Sequence, residues 1–285
     1  MMKQMEPISN KSFFTLTTKL VALVFLLLLS ANPVSAAELK NSVETSNPPV
    51  KQFLSDFREL TLSPLHWEKK QWLTASLVLG TTVMLYNNDA KLFALVQEQR
   101  NEAWDLVSTV VQPLGNGLYL LPSLAGLYLY GCSAGEEKIT ESAGLCLESY
   151  LVSSSFVYIL KMTAHRHRPN TGDPYYTWDG PGLSLKNLSF PSGHSAGVFS
   201  IASVLATIYQ ENKYIPVLVY GLAGATALSR VYDQAHWPSD VFFGSMLGYL
   251  TGKAVMALHE EKKEFIVAPT LLTPNQYGIL LLCCF

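Results

Sequence analysis

Apolar residues fall along this chain in six blocks separated by Gly, Pro and polar turns. The blocks Trp72–Tyr86, Leu118–Tyr130, Leu145–Lys161, Ala196–Tyr209, Tyr214–Arg230 and Val241–His259 read as helices, and Ala103–Val111 as a further short one. Each block is about 13–19 residues long, below the ~20 needed to cross a bilayer, and each carries Ser, Thr, Gly or Tyr; Lys253 interrupts the last. The pattern predicts a compact all-α protein, an antiparallel bundle of about six core helices. Glu211–Lys213 is the tight turn between two of them. By contrast, the 30 residues from Met162 to Pro191 are rich in Gly, Pro, Asp and aromatic residues. A connection of that length is a candidate functional lid.

The two ends of the chain differ from its middle. Lys3, Lys11 and Lys19 precede the apolar run Leu20–Ser30, and Val34-Ser35-Ala36-Ala37 supplies small residues for cleavage. Residues 1–37 therefore read as a signal peptide, with an uncleaved anchor helix as the alternative. Residues 38–64 read as a polar leader that becomes ordered near Trp67. The helical domain spans 65–260, and 261–285 form a C-terminal extension with two short strands, Phe265–Pro269 and Tyr277–Leu282, in a β-hairpin-like tail. The expected product is exported, periplasmic or in the cell envelope, with peripheral membrane contact; an interfacial or partly embedded arrangement leaves the same apolar signature.

Composition narrows the function classes. The chain is 49 % apolar with a net charge of −2, and removing residues 1–37 leaves 17 basic and 21 acidic residues, or −4. No basic excess offers a nucleic-acid surface, so a nucleic-acid partner is not expected. Cys132 and Cys146 flank one helix–helix turn, and either a disulfide or two buried thiols fits them. Cys283 and Cys284 are adjacent, and none of the four has metal-ligand spacing.

Three clusters carry chemistry. Lys161 to Pro169 fits Lys-x6-Arg-Pro, Pro191-Ser192-Gly193-His194 is the second, and Ser229 to Asp240 fits Ser-Arg-x5-His-x3-Asp. In an antiparallel bundle, Lys161 closes one helix and Ser192 to His194 open the next. Arg230 closes another, and Pro238 to Asp240 open the last. All four ends meet at one end of the bundle, where two helix N-termini offer free N–H groups to an anion. Lys161, Arg168 and Arg230 add three cations, and Gly193 lets backbone approach a phosphate.

The order and spacing of these clusters resemble the type 2 phosphatidic acid phosphatase superfamily, which includes bacterial nonspecific acid phosphatases, lipid phosphatases and vanadium haloperoxidases. The resemblance covers roughly residues 65–260. It implies an acid phosphatase/haloperoxidase-like fold and metal-independent hydrolysis of phosphate monoesters or lipid (di)phosphates, with no cofactor. His236 would be the phosphohistidine nucleophile, and Asp240 would accept its other ring N–H. His194 would be general acid and then base, while Lys161, Arg168, Ser192, Gly193 and Arg230 bind phosphate. The substrate class is a phosphorylated small molecule or a lipid phosphate. A haloperoxidase and an inactive phosphate- or lipid-binding protein are the alternatives; such haloperoxidases are typically much larger, and both histidines are present here.

Some loop residues keep two readings. His165, Arg166 and His167 face either substrate or solvent, and His165 stands where the relatives often have Gly. Tyr175, Tyr176 and Trp178 either clamp a substrate or pack beneath the loop.

Overall fold

Small residues decide the centre of the fold. The computed structural model describes side chains for residues 53–260 and backbone for 49–263, 266–273 and 276–282. The helix Gly193–Ile208 is the innermost, with Ala202, Ser203 and Val204 almost wholly buried. Along Pro238–Lys263, Gly244, Gly248 and Gly252 recur at every fourth residue and lie against the carbonyls of Ser192, Ala196 and Ser200. A Cβ on Gly244 would stand 2.5 Å from the Ser192 oxygen, one on Gly252 2.6 Å from the Ser200 oxygen, and one on Gly248 closer still to that of Ala196. This glycine ridge lets two helix backbones touch, the packing device of small-xxx-small sequences. Because both sets of contacts advance in the same direction along the chain, the two helices run parallel and their N-termini share one end.

Nine α-helices are formed by the described residues: α1 Pro49–Leu62, α2 Lys69–Tyr86, α3 Asp89–Glu98, α4 Glu102–Val111, α5 Gly117–Ala134, α6 Glu137–Ala164, α7 Gly193–Ile208, α8 Tyr214–Tyr232 and α9 Pro238–Lys263. Helices α6, α8 and α9 surround α7. The main apolar core joins Leu124, Leu145, Cys146, Val204, Val255 and Met256. Local signals set several ends. Asn101, Asn116 and Ser192 cap α4, α5 and α7 through side-chain acceptors, and Gly135 and His165 end α5 and α6 in the left-handed region. The expected all-α class is the class of the domain. Backbone pairing joins β1 Ile266–Thr273 to β2 Gln276–Leu282, and the expected hairpin-like tail has no support beyond that pairing.

Three expectations change. The polar leader is helical from Pro49, and its helix α1 stacks Phe57 on Phe156 of α6 at 5.2 Å. Helix α3 was absent from the apolar pattern. The helices are also longer than the apolar blocks: α6 has 28 residues, and it, α8 and α9 are long and apolar enough to cross a membrane. Polar residues such as Glu137, Thr140 and Glu141 extend α6 beyond its apolar block. Large side chains stay exposed around the bundle, including Leu77, Leu129, Ile159, Val217 and Leu228, each more than half accessible. Water does not tolerate so broad an apolar surface, and the protein is membrane-associated. The signal-peptide reading lies outside the described residues, as do Cys283 and Cys284, while Cys132 and Cys146 are free thiols.

The apolar belt gives a direct expectation: the full-length protein stays in the membrane pellet after alkaline carbonate extraction and needs detergent for release. Recovery of most of it in the carbonate supernatant would mean that the belt is covered by protein instead of lipid.

Candidate active site

The parallel α7 and α9 bring their N-termini together, and a hydrogen bond from Ser192 N to the Asp240 carbonyl, 3.0 Å, joins them. The ends of α6 and α8 reach the same place, because each runs antiparallel to α7. Lys161, Ser192, Gly193, His194, Arg230, His236 and Asp240 thus come from the helix ends expected to converge. Arg168 reaches the site from the loop.

Burial and charge describe the centre. The His236 ring is enclosed, and burial, followed by Lys161, Arg168 and His194, holds its pKa well below the ordinary value. The His194 imidazole is pushed down to about 4, first by burial and then by Arg230, Lys161 and Arg168. Both rings are therefore neutral near pH 7; Lys161, whose own pKa burial and then Arg168 lower to about 7, is partly charged there, and a bound anion favours its charged form. Nε2 of His194 is buried with no protein partner. Gly115 backs this ring so closely that a Cβ there would lie 2.8 Å from the His194 Cβ. Lys161 Nζ donates to the Leu188 carbonyl. Arg230 is held by Asp233, whose other oxygen accepts from Ser108 Oγ at 2.7 Å.

The partner of His236 differs from the one expected. Its Nδ1 donates to the Ser189 carbonyl at 2.7 Å, while the nearest Asp240 oxygen stands 4.0 Å away. The bond fixes the tautomer with the proton on Nδ1 and leaves Nε2 with its lone pair. Asp240 acts one step removed: Oδ2 accepts from Ser189 Oγ at 2.6 Å and from Trp237 N at 3.0 Å. Oδ1 faces Arg166 Nη1 at 2.6 Å. Asp240 is consumed by shaping its own helix start and the neighbouring loop, which leaves a carbonyl to meet the imidazole.

Arg166 is the residue whose role the sequence leaves open, and it faces neither substrate nor solvent. It is wholly buried, with Asp89 at 2.6 Å on one side and Asp240 at 2.6 Å on the other. Ser239 Oγ and the Tyr175 carbonyl take further N–H groups, and the Tyr86, Trp178 and Trp237 rings lie 4.9–5.6 Å from the guanidinium carbon. Tyr175 accordingly packs beneath the loop, Trp178 lies against Tyr86 with more than a third of its surface open, and Tyr176 is exposed. His165 adopts φ 43°, which a glycine reaches without strain, and its Nε2 bonds the Ser184 carbonyl at 2.8 Å. His167 presents Nδ1 to Asp173 at 2.7 Å and Nε2 to Asp179 at 3.0 Å. Asn187 Nδ2 also stands 2.9 Å from Nε2, so the two carboxylates favour an imidazolium without requiring one, and hydrogen bonds to Asp173, then Asp179, raise its pKa. Its hold on the loop is full below the ordinary histidine pKa and is lost as pH rises through the raised value.

A cavity of about 250 Å³ opens beside His194, lined by Lys161, Gly193 and His194 and by Tyr150, Ser154 and Tyr158 along α6. A Cβ on Gly193 would meet protein only at 3.6 Å or more, from Val157 and Lys161. The fold has room for alanine there, so the space that glycine keeps open belongs to the cavity.

Two substitutions separate scaffold from cavity. Arg166→Met leaves Asp89 and Asp240 buried and unpaired, and costs about 3–5 kcal/mol in unfolding of the detergent-solubilised protein; a loss below about 1 kcal/mol would show that the hub is dispensable. Gly193→Ala keeps the melting temperature within a few degrees and lowers turnover at least about tenfold, because its methyl group fills the site. Full activity in that variant would place the reacting group elsewhere.

Comparison with known proteins fits this arrangement. The PAP2 superfamily profile matches residues 143–264, which include all eight expected site residues. Lipid A 1-phosphatase of Porphyromonas gingivalis is 28 % identical over 148 residues, 49 % of this chain. The chain spans only 29 % of that protein's length. Phosphatidylglycerophosphatase B of Bacillus subtilis is 30 % identical over 173 residues, 56 % of this chain and 77 % of that protein. The crystal structure of Aquifex aeolicus LpxE aligns with a TM-score of 0.48 at 25 % identity, covering 59 % of this chain and 94 % of that one. With this identity over most of the Bacillus protein and the profile laid across the helix ends that form the site, the chain belongs to the PAP2 superfamily.

Proposed function

We propose that this chain is a phosphatase that removes phosphate from lipid phosphates at a membrane surface, through a phosphohistidine on His236. The observation that carries the proposal is the pairing of two neutral imidazoles inside a ring of cations. Nε2 of His236 keeps its lone pair because Nδ1 donates to Ser189, and the buried Nε2 of His194 has no protein partner. Lys161, Arg168 and Arg230 supply the charge that a transferring phosphoryl group requires, so the step calls for no metal ion.

The reaction then runs in two displacements. His236 Nε2 attacks phosphorus, the ester P–O bond breaks, and the leaving alkoxide takes the proton on His194. Water next attacks the phosphohistidine and gives a proton to His194. The P–N bond breaks, returning its electron pair to His236 and releasing phosphate. The low His194 pKa comes from burial and then from the cations Arg230, Lys161 and Arg168. A phosphate dianion among them reverses the local field and raises that pKa, so His194 becomes an acid only when substrate is bound.

A lipid phosphate is favoured over a soluble ester by the apolar belt and by the cavity, whose far wall of Tyr150, Val157 and Tyr158 offers rings and apolar surface to a chain. Relatives named for lipid A and phosphatidylglycerophosphate support the same class. We further propose that residues 1–37 direct export, that 38–64 lead into the phosphatase domain of 65–260, and that 261–285 extend it. The site would then face the periplasmic or cell-envelope side.

Two variants test the histidine roles. His236→Ala abolishes the acid-labile phosphoenzyme and turnover on every substrate. His194→Ala lowers turnover about 10²–10⁴-fold on an alkyl lipid phosphate and much less on p-nitrophenyl phosphate, whose phenolate leaves unaided. In the wild type, the alkaline limb of kcat lies at higher pH than that of kcat/KM, because bound phosphate raises the His194 pKa. Equal losses on both leaving groups, or a phosphoenzyme surviving in His236→Ala, would overturn the assignment.

A further inference from the structure

A second group of ligating side chains lies at the far end of the bundle. Asp56 of α1, Glu148 of α6 and His259 of α9 converge with their ligand atoms all within 4.8 Å of one another. His259 is 19 residues beyond Asp240 on the same helix, about 28 Å along its axis. The cluster is therefore separate from the phosphate site.

Its chemistry is that of a cation site. The His259 Nε2 stands 2.9 Å from Glu148 Oε2 and 3.4 Å from Asp56 Oδ2. Asp56 is wholly buried, Glu148 is mostly so, and the second Glu148 oxygen, Oε1, is buried with no protein partner. Two carboxylates this close repel unless a shared proton or a cation sits between them. An ion bound at about 2.0–2.2 Å to three tetrahedral ligands places their atoms about 3.4 Å apart. That is the present His259–Asp56 spacing, and the His259–Glu148 pair needs to open by only about 0.5 Å to match it. One nitrogen and two carboxylate oxygens are donors for zinc or manganese and a poor set for magnesium, which prefers oxygen ligands alone.

We infer that Asp56, Glu148 and His259 bind one divalent cation of the zinc or manganese class, which fastens α1 to α6 and α9. The ion neutralises the carboxylate pair and offers a bond to each of three helices that lie far apart in sequence. Beside it, the Phe57–Phe156 stack joins α1 to α6. Removal of the ion loosens α1 and leaves the phosphate site, at the other end of α9, intact.

The test uses the full-length protein in detergent, stripped with EDTA and dialysed, then titrated with zinc, manganese or magnesium chloride by calorimetry and thermal unfolding. Zinc or manganese is expected to bind at one equivalent and to raise the Tm by about 5–10 °C at a hundredfold excess over Kd; magnesium does neither. Glu148→Gln and His259→Gln each weaken binding at least about tenfold, whereas His236→Ala binds as the wild type does. Turnover by the wild type survives EDTA. The absence of saturable zinc or manganese binding by the wild type would overturn the inference. So would binding unchanged in both ligand variants, binding lost in His236→Ala, or a Tm that responds to pH and to none of the metals. Failure of one ligand variant to fold leaves the other, and the wild-type titration, decisive.

Discussion

The buried guanidinium of Arg166 is the interaction on which the site depends. It pairs with Asp89 at the start of α3 and Asp240 at the start of α9. Taking three charges out of water is costly, and such a group persists only when every N–H and lone pair is met. Here Ser239 and the Tyr175 carbonyl complete the set on Arg166, and Ser189 and Trp237 do so on Asp240. The network pins the loop at Tyr175 and Ser189, and the carbonyl of Ser189 holds His236. The Asp240 charge also acts on Lys161 and Arg168 and steadies both beside an anion site, while Asp233 does so for Arg230.

A second constraint acts through backbone contact. Gly244, Gly248 and Gly252 let α9 lie directly on α7, and no larger residue at those positions could keep the two axes so close. The contact is parallel, so the two helix N-termini share one end; at α9 Pro238 has no N–H and Ser239 N donates to Asp89 Oδ1 at 2.9 Å, which leaves the start of α7 to offer N–H groups to an anion. The architecture of the anion site and the packing of the bundle are in this sense one event.

The convergence of Lys161, Ser192, His194, Arg230, His236 and Asp240 was legible because each stands at a helix end, where periodicity and capping leave clear marks. Other features left no such mark. Arg166 lies in an irregular loop, and from spacing alone a basic loop residue beside two histidines reads equally as solvated or substrate-facing. Its partner Asp89 is 77 residues away at the start of a short helix without a strong apolar pattern. Ser189 contributes a carbonyl, which every residue owns, so no side-chain motif announces it. Helix lengths were underestimated because apolar runs mark buried stretches, while α6 continues through Glu137 to Glu141, where a single apolar residue, Ile139, packs against Leu127 among polar neighbours. The glycine ridge on α9 was present at every fourth position, and its meaning emerged only with α7 against it.

The bond from His236 Nδ1 to a carbonyl bears on how long a phosphoenzyme would last under the proposed chemistry. A carboxylate in that position would stabilise the positive charge on a phosphorylated imidazole and make the ring more basic. The ring would then attack phosphorus readily and surrender it slowly. A neutral oxygen orients the ring just as firmly and adds far less basicity, and Asp240, 4.0 Å away, shares its charge with Arg166. The nucleophile is thereby tuned toward departure: a weaker base is a better leaving group when water arrives. The geometry favours quick release of the phosphoryl group over its storage.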